Sequence, residues 1–418
     1  MRMARLAGAG MALLLSGCMF AVAPQTFEKP YARSGSEVRK AMAAALESGD
    51  KAALTRRAIE LAWMGGTLSD ATLARIAPSL DPGAFSRARV SWLAGREPPL
   101  AGLKRRFAAN AMPNDEPEPF AQVPAEYRLV EGIAWDEKTQ RLFVGTVIEG
   151  RLAYRDRDGS WHEVPVGSPR GGLFGMAVDA ERRLLWIATG SVEETAVAGE
   201  RMTGLIAVDL ETLRVVRRVP LAAGAAGAAG DLVIAADGTV YVSNVLSGAI
   251  HRCRPGCTVL EDFLPAGTFP NPQGLAVSAN GKRLYIADYL SGLWVVDPRT
   301  GAKVPIRIGE PLMLEGIDGL VITHNNLVAI QNGTRPRRIV RFLLDRDGDR
   351  ILETNVRATV APEAGDPTLG VNRAATGEMF VVGDGQWERY GPGGVLKDGA
   401  PLRPTPILQV APFDDIII

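Results

Sequence analysis

The feature that most constrains this chain is a pair of short strands repeated six times. Each copy has a glycine or its substitute, an alternating apolar strand, a polar turn, and a second strand that finishes on a small polar residue. The copies are "EGIAWDEKTQRLFVGT", "FGMAVDAERRLLWIATG", "GDLVIAADGTVYVSN", "QGLAVSANGKRLYIAD", "DGLVITHNNLVAIQN" and "LGVNRAATGEMFVVGD". Their anchors are Gly132, Gly175, Asp231, Gly274, Gly319 and Gly370, at spacings of 43, 56, 43, 45 and 51 residues. The first five are followed by a third apolar run, as in "RLAYRD" and "GLWVVD". Units of three or four short strands with no helix between them are the blades of a propeller. One blade cannot bury both its faces, whereas six around an axis cover every face and leave only short edges. The expected fold class is therefore an all-β six-bladed β-propeller over residues 125–418. A pair of β-sandwiches is the alternative, and it gives no reason for the repeated glycine.

What precedes the repeats has another character. Residues 18–111 include "SEVRKAMAAALESGDKAALTRRAIELAWMGG", rich in alanine, leucine and charged helix formers, with Gly49-Asp50 and Gly65-Gly66 as stops. Three or four short helices are expected, one of them starting at Asp81-Pro82 and running through Trp92. Residues 112–124, "MPNDEPEPFAQVP", carry prolines and acids that resist both helix and strand and read as a linker.

Residues 1–17 read as a targeting segment, with Arg2 and Arg5 ahead of the apolar run Leu6 to Leu15. The run ends at Leu15-Ser16-Gly17-Cys18, which resembles the lipobox of bacterial lipoproteins and implies acylation of Cys18 after cleavage. An ordinary secretory peptide is the alternative. The apolar run is too short to span a bilayer and no other segment is long enough, so membrane attachment is expected by lipid alone. Met19, rather than aspartate, follows the cysteine, which by resemblance to other lipoproteins favours the outer membrane facing the periplasm.

Lysine plus arginine equals aspartate plus glutamate at 47 each, so no global basic field exists to hold a nucleic acid. Cys253 and Cys257, in "HRCRPGC", flank a Pro255-Gly256 turn, and an oxidising compartment favours a local disulfide. A metal half-site with His251 is the rival, but no second cysteine pair completes a zinc site.

In a propeller the innermost strand of each blade lines the central channel. The residue before each anchor glycine is thus thrown to one mouth six times: Glu131, Phe174, Gly230 with Asp231 beside it, Gln273, Asp318 and Leu369. Carboxylates and an amide oxygen converging from separate blades are what a hard cation such as calcium requires. The alternative is that these acids hydrogen-bond backbone amides at the mouth.

The "EG", "QGLAVSANGKRLYIAD" and "DGL" elements resemble the senescence marker protein, gluconolactonase and regucalcin family, six-bladed propellers related to the paraoxonases, over roughly residues 127–400. The resemblance implies a divalent cation, usually calcium, at the channel mouth, and hydrolysis of a lactone or ester. It implies Glu131 and Asp318 as cation ligands, Asp318 also as general base, and Asp231 as the acid that follows a third-blade asparagine. Two positions depart from the family: Gly230 stands where that asparagine is expected, and Gln273 where a fourth-blade asparagine is expected. A non-catalytic propeller that binds a protein or glycan partner is the second reading.

Other motifs are weaker. "DRDGDR", Asp345 to Arg350, has acids at alternate positions like a calcium loop, but Gly348 is misplaced for one and a solvated hairpin turn in blade five is expected. His162, His251 and His324 are the only histidines and none falls at a strand-opening position, which leaves no histidine dyad. "LAAGAAGAAG", Leu221 to Gly230, reads as a flexible loop leading into blade three.

Overall fold

The computed structural model describes residues 27–88, 90–93, 98–112, 117–222, 227–360 and 365–411. Cys18 and the targeting segment lie outside the described residues, as does part of the loop before blade three. Residues from Glu118 to Val410 form six four-stranded antiparallel sheets, one per repeat. Their innermost strands are Val130–Asp136, Gly172–Asp179, Ala229–Ile234, Pro272–Val277, Ile317–Thr323 and Gly370–Asn372. Apolar side chains fill the space between neighbouring blades, as where Phe143 and Leu152 of blade one meet Leu173 and Ile187 of blade two.

The ring closes through residues 118–123, which were expected to be linker. Glu118–Val123 is a strand, the outermost of blade six, paired antiparallel with Thr405–Val410 so that Val123 faces Thr405. Pro119 is tolerated because this is an edge strand with a bulge between Pro119 and Ala121. Phe120 stacks on Phe380 at 4.1 Å. The two ends of the propeller sequence therefore hold one another.

A second device repeats around the axis. The pairing of the inner strand with its neighbour slips once in each of the first five blades, between Val130 and Gly132, Leu173 and Met176, Ala229 and Leu232, Pro272 and Leu275, and Ile317 and Gly319. Such a bulge re-aims the side chain at the slip. The anchor glycine beside it is required by the next blade: a Cβ on Gly132 would lie 2.2 Å from the carbonyl oxygen of Phe174, and one on Gly274 2.6 Å from the amide nitrogen of Leu320.

Five α-helices precede the propeller among the described residues, rather than three or four: α1 (Gly35–Ser48), α2 (Lys51–Trp63), α3 (Asp70–Ile76), α4 (Pro82–Ala88) and α5 (Pro99–Ala111). Gly49 ends α1 in the left-handed region at φ +74° and Asp50 caps α2 by accepting the Ala53 N–H. The helix begun at Pro82 stops at Ala88 and does not reach Trp92, which lies in a separate short 3-10 turn, Ser91–Leu93. The helices share one apolar core that takes in Met313 of the loop leading into blade five.

The attachment is polar as well. Glu315 accepts the first N–H groups of α1, from Gly35 and Ser36. Arg338, 3 % exposed, donates to Met64 O at the end of α2 (3.2 Å), to Gln331 Oε1 (2.8 Å) and to Met313 O (3.4 Å). Replacing Arg338 by methionine strands these acceptors and removes the positive charge that Glu315 has beside it. Loss of one partner in such a cluster costs about 3 kcal/mol or more. We expect R338M to lower the melting temperature and to open residues 27–112 to limited proteolysis ahead of the blades; an unchanged digestion pattern would contradict this docking.

Candidate functional site

All six pre-anchor positions line one cavity of about 330 Å³ at the start of the inner strands. The bulges bring Glu131, Asp231, Gln273 and Asp318 together from four blades, although Glu131 and Asp318 are far apart in the chain. One wall of the cavity comes from the segment between the last strands of blade six, which also holds a short hairpin, Tyr390–Gly391 with Val395–Leu396. From this segment Trp387 donates its indole N–H to Glu131 Oε2 at 2.9 Å.

The acids differ in what meets them. Glu131 is 7 % exposed. Burial first, and the charge of Asp318 second, push its carboxyl well above the usual carboxylate range, with the Trp387 N–H pulling the other way. Asp318 is pushed up to about 7 by burial, against the Asn332 amide, which donates to Oδ2 at 2.6 Å, and with the Asp366 charge adding to the rise. Asn332 is itself oriented by the Tyr289 hydroxyl, which donates to its Oδ1 at 2.9 Å. Asp231 is pushed up to about 7 by burial, but both its oxygens accept backbone N–H groups, from Leu232 (2.8 Å) and from Leu275 of the next blade (3.2 Å). Asp231 thus acts as a brace between blades three and four, the structural role that was the alternative for all these acids. Glu131 and Asp318 are met by side chains instead.

Gln273 donates Nε2 to Asn271 Oδ1 at 2.7 Å, which leaves its oxygen as the atom to offer a cation. A Cβ at Gly230 would lie 2.6 Å from Val245 Cγ1, so an asparagine there would require the valine side chain to shift. The side chain expected in the family is replaced by this valine packing.

The donor set has the chemistry of a hard-cation site: carboxylate and amide oxygens, with no lysine or arginine among the described residues of the cavity wall. Among the described residues no three histidine, cysteine or acidic side chains form a ready cage. A cation here would be held by two carboxylates, Glu131 and Asp318, with amide oxygens such as that of Gln273.

Asn271, Tyr289, Asn332, Asp366 and Trp387 also line the cavity and were not singled out from the sequence. A signal existed for part of them in the small polar residue closing each second strand. Thr189, Asn244, Asp288 and Asp384 occupy that place and accept the backbone N–H of Gly171, Ala228, Asn271 and Asp366, which fixes the segment entering each inner strand. In blade five the equivalent residue, Asn332, is turned onto Asp318.

The remaining motifs do not reach the cavity. Cys253 and Cys257 form a disulfide with Cα atoms 5.5 Å apart. His251 pairs with Asp262 (2.8 Å) and Asn244 (3.1 Å) inside blade three. Asp345 to Arg350 is the turn between the outer strands of blade five, with Gly348 N–H bonded to Asp345 O at 3.0 Å.

No family model matches the sequence and no curated protein matches it. Solved structures do. A calcium-binding protein, regucalcin, from Agrobacterium tumefaciens is 17% identical with a TM-score of 0.49, covering 71% of this chain and 96% of that one. A gluconolactonase from Xanthomonas campestris is 17% identical with a TM-score of 0.48, covering 72% and 88%. The PQQ-bound aldose sugar dehydrogenase of Streptomyces coelicolor is 17% identical with a TM-score of 0.46, covering 72% and 99%. At these identities the likeness is one of fold, and the chemistry of the mouth rests on its own side chains.

Burial of Asp318 has a consequence for stability. Its folded pKa lies above the unfolded value, so its contribution is complete below the unfolded pKa and is lost as pH rises through about 7. With chelator present, melting should be higher near pH 5 than near pH 8, and D318N should remove on the order of 2 kcal/mol of that difference. An identical pH dependence in D318N would show that the carboxyl is not held in this way.

Proposed function

We propose that the channel mouth is a divalent-cation-dependent hydrolytic site for a lactone or ester, with calcium as the fitting ion. The observation that carries this reading is the pair Glu131 and Asp318 at the cavity wall, which among the described residues meets no backbone donor and no lysine or arginine lining the cavity. Such a pair is costly unless protons or a cation neutralise it. Glu131, Asp318 and the Gln273 oxygen would hold the ion, and a bound cation supplies Lewis-acid polarisation of a carbonyl.

The rest of the chemistry belongs to the chain. Asp318, on the cavity wall and oriented by Asn332, is placed to take a proton from an attacking water. Asn332, held by Tyr289, fixes the direction of the Asp318 carboxylate. Phe174, Leu369 and Trp387 give the cavity apolar walls, which limits competing water around a small neutral substrate. The likeness in fold to a gluconolactonase and a regucalcin accords with this choice of reaction without deciding it. We further propose anchoring by an acyl chain on Cys18, which rests on the sequence motif.

Metal analysis of the purified protein should find a divalent ion, and its removal by chelator should lower the melting temperature, with calcium restoring it. D318A should then cut hydrolysis of a panel of neutral lactones and aryl esters by about 10²-fold or more. Absence of any bound cation together with indifference to chelator would sink the proposal, and retained hydrolysis in D318A would remove Asp318 as the base. Fractionation tests the anchor separately: C18S should move the protein from the membrane to the soluble fraction, and an unchanged distribution would dismiss it.

A further inference from the structure

The far ends of the inner strands, away from the mouth, carry a charge pattern that changes from blade to blade. Asp136 and Asp179 stand four residues after the anchor glycines of blades one and two. At the join of those blades Arg183, directly before the second strand Leu184–Gly190, donates to both oxygens of Asp136 at 2.8 Å each. Blade four repeats the arginine, since Arg283 directly precedes its second strand, Leu284–Asp288. Blade three does not repeat the aspartate: Ala235 stands four residues after its anchor, Asp231. At the join of blades three and four the guanidinium is kept and its carboxylate is gone.

A cleft of about 780 Å³ lies at this join, lined by Ala235 and by Arg252, Arg254, Lys282, Arg283 and Arg299. Arg283 donates to the Lys282 carbonyl oxygen at 3.1 Å, and neither residue forms an ion pair among the described residues. Arg252 and Arg254 share a single carboxylate oxygen, Oε2 of Glu261, at 3.1 and 2.6 Å. The two acids of the lining, Asp237 and Asp297, each accept a backbone N–H of their own turn, from Thr239 and Arg299. Five cations thus face three acids, in a chain whose charges balance at 47 each. A guanidinium fork matches a phosphate as well as a carboxylate, and several cations around one recess favour a ligand with more than one negative group. A recess between two blades admits a small molecule more readily than it meets a flat surface.

We infer that this cleft binds a small soluble molecule bearing two or more phosphate groups, one of which meets Arg283 as Asp136 meets Arg183. It does not depend on the hydrolytic reading of the mouth. Calorimetric titration of the full-length protein with fructose 1,6-bisphosphate should show saturable binding to one site, and fructose should give none. R283Q should weaken that binding by about tenfold or more. A235D restores the carboxylate that blade one supplies, and it should weaken binding as much while the melting temperature holds or rises. K138Q, at the join where Lys138 is already paired with Glu211, and D318A, at the mouth, should bind as the unaltered protein does. No saturable binding, unchanged affinity in R283Q or A235D with native circular dichroism, an equal loss in K138Q or D318A, or binding to phosphatidic acid vesicles without binding of the free bisphosphate would each overturn the inference.

Discussion

The structure depends on how closely one blade can approach the next at the start of its inner strand. Gly132 and Gly274 stand where the following blade's backbone comes within the distance a Cβ would need. That approach coincides with the slip in strand pairing, and the slip turns the preceding side chain into the channel. Blade stacking and site assembly are thus one event. Asp231 is the instructive exception: it holds the anchor place in blade three, and its carboxylate takes up the backbone N–H groups on either side of the join.

The same geometry sorts the acids. Both oxygens of Asp231 accept backbone N–H groups, which offset only part of the burial that pushes it up to about 7. Glu131 and Asp318 accept instead from the side chains of Trp387 and Asn332. Burial without compensation raises their affinity for protons, and it equally raises their affinity for a cation. This difference in partners, more than the number of acids, gives the mouth its chemical character.

The helical region belongs to this arrangement through blade five. Arg338 reaches from the end of α2 to Gln331 and Met313, Gln331 is followed directly by Asn332, and Glu315 lies three residues ahead of Asp318. Among the described residues the helices line no part of the mouth cavity, yet they pack on the segments that flank Asp318 and Asn332.

The repeat in the sequence determined the fold class, the blade count and the convergence of Glu131, Gln273 and Asp318, because strand alternation and a recurring glycine are local signals with one stacking solution. It misjudged residues 118–123, where proline at a bulged edge strand is harmless once a partner exists at Thr405–Val410. It left Asn271, Tyr289, Asn332, Asp366 and Trp387 unseen, because each acquires its meaning from a neighbour distant in the chain. Tertiary structure alone decided that Asp231 braces two blades, that a Cβ at Gly230 would crowd Val245, and that Trp387 donates to Glu131. The physical reason is common to all three: a periodic sequence specifies where a side chain emerges, while the packing of adjacent blades specifies what it meets.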